Sequence, residues 1–103
     1  MKSTKGTSTK SAVIVTTDST RRGVFFGYLE SFDRSTQIAV LTQARLCVYW
    51  SKETHGVFGL AANGPAAGSK IGPAVPKIEL NGVTSVCECS DEAVAAMEKE
   101  PWA

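Results

Sequence analysis

The chain has 103 residues, of which 43% are apolar and 20% charged, and its formal net charge is +1. That length fits one domain, and the composition excludes a chain without a packed core. The near-neutral charge excludes a strong global field toward DNA or anionic lipid, so nucleic-acid binding needs a local basic patch, for which Arg21, Arg22, Arg34 and Arg45 are the candidates.

Residues 1–11 are Ser/Thr/Lys-rich, with Lys2, Lys5 and Lys10 and no apolar stretch of the kind a signal peptide needs. They read as a flexible tail, and 12–103 as one β-barrel domain. No apolar run is long enough to span a membrane. Three cysteines without an export signal point to reduced thiols and a cytoplasmic setting.

Ala12–Thr17 is β-branched and predicts a first strand. Arg22–Ser31 predicts a second. Its glycines, Gly23 and Gly27, face one side and mark the bends a small barrel requires. Asp33-Arg34-Ser35 predicts a turn. Thr36–Thr42 and Arg45–Trp50 predict two further strands, the latter with Leu46, Val48 and Trp50 on one face and Arg45, Cys47 and Tyr49 on the other.

The segment 52–76 is rich in glycine, proline and small apolar residues and reads as a long loop, with a short element at Val57–Leu60. Loops of that length serve function or assembly. Lys77–Leu80 and Val83–Cys89 flank Asn81-Gly82, the strongest two-residue hairpin signal. Ser90 is expected to cap a helix that opens with Asp91 and Glu92 and stops at Pro101. Val94 and Met97 form its apolar face, and Trp102 is expected to pin the C-terminus.

No catalytic constellation emerges. Cys87 and Cys89 lie two apart on a strand, and with Cys47 and His55 they make four potential zinc ligands. Structural zinc sites, however, favour Cys-x(2–4)-Cys turns, so the cysteines read as small core residues and no metal is expected. His55 is the only histidine and reads as a surface turn before Gly56. The glycines around Lys70 offer backbone N–H groups and one cation to a phosphate, without Walker spacing. Tyr49 or Tyr28, if outward-facing beside Arg22 or Arg45, would make a base-stacking platform; the alternative for these aromatics is the core or a subunit interface.

The stretch Gly27-Tyr28-Leu29 to Asp33, followed by Gln37-Ile38-Ala39-Val40, resembles the first motif of Sm-like and Hfq-like proteins. Leu80-Asn81-Gly82-Val83 is similar to the second. The resemblance implies a mainly β fold, a small, strongly bent Sm-like or SH3-like barrel that forms rings, here with a short C-terminal helix. It also implies an RNA pocket, but Ser35, Gln37 and Asn81 stand where that pocket has a stacking group, an Asn and an Arg. Stacking therefore lacks its ring and phosphate contact its charge. The chain more closely resembles an uncharacterised domain family of tailed phages and their host bacteria. Arg22-Gly23-Val24-Phe25, Val48-Tyr49-Trp50, Gly56 to Ala62, Ile71 to Pro76 and Pro101-Trp102 carry that likeness.

The expected function is a non-enzymatic, phage-encoded binding protein in the host bacterial cytoplasm. It forms a ring or other homo-oligomer and binds a nucleotide-type ligand or nucleic acid, without a cofactor. Arg22, Arg34, Gln37, Arg45, Tyr49, Lys70 and Asn81 are the candidate ligand-binding residues. Two alternatives stand beside this reading. One is an inhibitor of host defence that sequesters a nucleotide signal or binds a host protein; the other is a structural component of the virion.

Overall fold

The structure is a computed structural model that describes residues 11–18 and 23–100. In chain order its elements are β1 (Ala12–Thr17), β2 (Val24–Asp33), β3 (Ile38–Tyr49), a 3-10 turn (Lys52–Thr54), α1 (Gly56–Asn63), β4 (Lys70–Ile71), β5 (Val75–Leu80), β6 (Val83–Glu88) and α2 (Asp91–Lys99). Among the described residues the six strands form one antiparallel sheet that is not closed. Its order is β4-β3-β2-β1-β6, with β5 also paired to β3. β5 lies beside the first half of β3 and β4 beside the second.

The two strands expected at 36–42 and 45–50 are one continuous strand. Phe26 pairs with Arg45 and Tyr28 with Thr42, so Gln43 and Ala44 together oppose Gly27. This is a β-bulge, and Gln43 holds it with a φ of 48°. A Cβ on Gly27 would meet the Cβ of Leu41 at 3.0 Å, so the narrowest residue sits opposite the widest step of β3. The bulge also changes which residues face which side. Before it, Ala39 and Leu41 join one core cluster; after it, Cys47 joins the other.

Those clusters occupy the two faces of the sheet. β1 lies between β2 and β6 and is covered on both sides, with Val13, Ile14 and Val15 all at 1% exposure or less. Val13, Val15, Leu41, Leu80 and Val83 pack on the first face, where the sheet curls over itself. Ile14, Phe26, Cys47 and Ile71 face the other way and pack against Leu60 and Ala61 of α1 and Met97 of α2. The segment read as a loop therefore contributes a helix to the core.

The helices meet where Gly64 ends α1. Its φ is +84°, and an added Cβ would lie 2.5 Å from that of Ala96. Ser90 caps α2 as expected, its Oγ accepting a hydrogen bond from the Ala93 N–H at 3.1 Å. The Tyr28 hydroxyl donates to the Glu98 carboxylate and ties α2 to β2. Burial and that carboxylate push the Tyr28 hydroxyl up to about 12.

The Asn81-Gly82 turn forms, with Gly82 at a φ of 66°, but the strands it joins do not pair with each other. The Asp18 N–H donates to Gly82 O at 2.9 Å, and the Val83 N–H to Gln37 O at 3.0 Å. These bonds tie the turn to the end of β1 on one side and to the β2–β3 turn on the other, and β6 pairs with β1. A two-residue turn thus links the two ends of the strand order, which is possible only because the sheet is strongly curled.

Candidate functional site

The curl leaves a cleft of about 630 Å³ on the first face. Its floor is apolar, built from Val13, Leu29, Phe32, Val83 and Val86. One wall is the end of β2 and the turn after it, which supply Arg34 and Gln37; the other is β6, with Thr84, Ser85 and Glu88. Ser11 stands at the start of β1 on the same rim.

The turn that presents Arg34 is built by Asp33. Its Oδ1 accepts from the Ser35 N–H at 2.9 Å and from the Ser35 hydroxyl at 2.7 Å. Those bonds hold the Asp33 carboxyl below the usual carboxylate range. Ser35 is consumed in this turn rather than aimed at a ligand. Gln37 takes a φ of 60°, donates its N–H to Asp33 O at 2.7 Å and accepts from Val83. A non-glycine residue in the left-handed region costs about 1 kcal/mol or more, and such residues cluster at binding sites.

The other expected site residues lie elsewhere. Arg22 falls outside the described residues. Arg45 is 8% exposed on the helix-covered face. Its Nε donates to Gly72 O at 2.6 Å, Nη1 to Met97 O at 2.6 Å and Nη2 to Ile71 O at 3.3 Å. Met97 lies in the last turn of α2, where the helix dipole favours a cation. The guanidinium thus binds three backbone carbonyls from two places and holds α2 and the 71–72 segment to β3.

Tyr49 and Lys70 are cross-strand partners at the far end of β3, both exposed. They make a second, smaller grouping of an aromatic ring and a cation. Asn81 is exposed in its turn and does not line the cleft. The structure therefore joins Arg34 with Gln37, and Tyr49 with Lys70, at opposite ends of the twelve-residue β3.

Sequence reasoning missed Leu29, Phe32 and the β6 wall as site residues. The available signal was alternation: Leu29 leads the motif that contains Asp33, and Thr84 and Glu88 are polar positions on a strand with an apolar inner set.

The cysteines are unpaired. Burial pushes the Cys47 thiol up to about 12 and the Cys89 thiol to about 11, so both stay protonated at neutral pH. Among the described residues no group of three or more His, Cys, Asp or Glu side chains is placed to hold a metal ion. Among those residues, too, no helix is long and apolar enough to cross a membrane.

Fold and site together define a class: an antiparallel β-sheet with two helices packed on one face and an open cleft on the other. The chain belongs to a family defined by a domain of unknown function (DUF6948), matched over residues 10–97. No curated protein and no solved structure matches it.

Proposed function

We propose that this chain is a non-enzymatic binding protein, homo-oligomeric and of the Sm-like barrel type, whose cleft takes a nucleotide-type ligand or single-stranded nucleic acid. One observation carries the reading: Arg34 and Gln37 line one cleft with an apolar floor, together with Phe32, Thr84 and Ser85. A cleft of about 630 Å³ lies within the range of about 300–1,000 Å³ usual for small-ligand sites. Arg34 matches a phosphate, the Phe32 ring a base, and the Gln37 amide the polar edge of a base. The Sm-like type is supported by the motif resemblance and by the short turn joining strands at opposite ends of the sheet. The phage setting rests on sequence resemblance alone.

Native mass spectrometry of the purified protein tests this reading. The expected spectrum shows an oligomer with a bound mass in the nucleotide range that is lost in Arg34→Ala. An unliganded spectrum, with no binding of added nucleoside monophosphates or of a short oligouridine, would overturn it.

A second reading, an inhibitor that acts by binding a host protein, is favoured by the exposed apolar side chains at the end of β3. Leu46 is 45% and Val48 56% exposed there, beside Val24 and Trp50. A stoichiometric protein partner lost in Val48→Asp but kept in Arg34→Ala would favour it over the first.

A further inference from the structure

Among the described residues the sheet ends at β6 on one side and at β4 and β5 on the other, and the edges of β5 and β6 differ in kind. β5 carries Lys77 and Glu79, so its edge displays charge, a usual protection against pairing. β6 reads Val83-Thr84-Ser85-Val86-Cys87-Glu88, without proline or lysine. It is paired only with β1, and no other strand lies beside it among the described residues.

The ladder shows which backbone groups this leaves free. Cys89 donates its N–H to Ala12 O at 2.9 Å, and Cys87 and Ser85 pair with Ile14 and Thr16. Hydrogen-bonded pairs recur at every second residue of an antiparallel ladder. The backbone groups of Val86 and Glu88 therefore point away from β1. On one face this edge borders the cleft; on the other it borders a groove lined by Cys87, Cys89, Ala61, Ala62 and Phe58. Phe58 is 80% exposed, the most exposed large apolar side chain among the described residues.

We infer that β6 is the interface between two copies of this chain, paired antiparallel about a twofold axis through Val86, and that the partner completes the cleft. This rests on the homo-oligomeric reading proposed above and names its interface. In that register Val86 exchanges both backbone hydrogen bonds with the partner's Val86, and Glu88 faces the partner's Thr84. Sliding by one pair in one direction sets each Glu88 carboxylate against the partner's apolar Val86; sliding in the other runs the pairing into the turn at Gly82. The central register avoids both, and its self-complementarity is what a twofold contact demands. The clefts of the two copies then join into one trough across the axis, with both Arg34 side chains on it. On the opposite face each Phe58 is covered by the partner's β6.

The test measures light scattering and backbone amide exchange of the full chain at high and at low concentration. The expected result is a dimer whose Val86 and Glu88 amides exchange at least about tenfold more slowly at high concentration. Glu88→Pro removes an outward N–H without touching the β1 ladder, and should weaken the dimer at least about tenfold. Phe58→Ser, wholly on the surface, should weaken it too and serves if the proline variant does not fold. A monomer at every concentration would overturn both the interface and the homo-oligomeric reading. An oligomer in which Val86 and Glu88 exchange fast, or in which β5 amides are protected instead, would overturn the interface alone.

Discussion

Arg45 and Arg34 show what the two faces of this sheet are for. Both are single cations on or beside β3, and both read from sequence as candidates for a phosphate. Arg45 lies under the helices, 8% exposed, and its donors bind three backbone carbonyls. Arg34 stands exposed at the mouth of the cleft, on a turn braced by Asp33. A cation sealed among carbonyls holds structure together; one held at the rim of an apolar cleft is available to a ligand. The difference is set by the bulge at Gln43 and Ala44, after which Arg45 and Cys47 face the helices.

The largest expected effect lies on the sealed face. Arg45→Ala removes three hydrogen bonds to backbone carbonyls on the covered face and opens a cavity, and should cost about 4 kcal/mol of unfolding free energy in a urea titration. A loss near zero would mean that Arg45 is not the clamp described.

A smaller effect on the same face depends on pH. Burial raises the Cys47 thiol from its ordinary 9.0 to about 12, so the folded chain keeps that proton longer than the unfolded one. The stabilisation is complete below pH 9 and is lost as pH climbs from 9 toward 12. Melting temperature should fall across that window, and Cys47→Ala should fall less steeply. Parallel curves would contradict the burial of Cys47.

The smallest stability change belongs to the open face. Arg34→Ala should move unfolding free energy by no more than about 0.5 kcal/mol, because the side chain is exposed in a turn that Asp33 maintains. The same substitution should abolish ligand binding. A large stability loss would place Arg34 with Arg45 as a structural cation and remove the contrast.

Much of the fold was legible in the sequence because the strands alternate cleanly and Ser90 announces α2 with acidic residues behind it. The long β3 was not, because a bulge held by Gln43 rather than glycine looks like a break between strands. α1 was obscured by glycines: Gly59 is required because a Cβ there would sit 1.6 Å from Thr54 O, not because the chain turns there. The candidate site was half legible. Arg34 and Gln37 belong to a readable turn, whereas the β6 wall depends on the register of β6 on β1, which no local pattern encodes.

The cleft between β2 and β6 is the proposed binding site. The most direct measurement is an amide NMR titration of the full chain with nucleoside monophosphates and a short oligouridine. Shifts are expected at Leu29, Phe32, Arg34, Gln37, Thr84 and Ser85, with Tyr49 and Lys70 unmoved. Shifts confined to Tyr49 and Lys70, or none with any of these probes, would contradict that assignment.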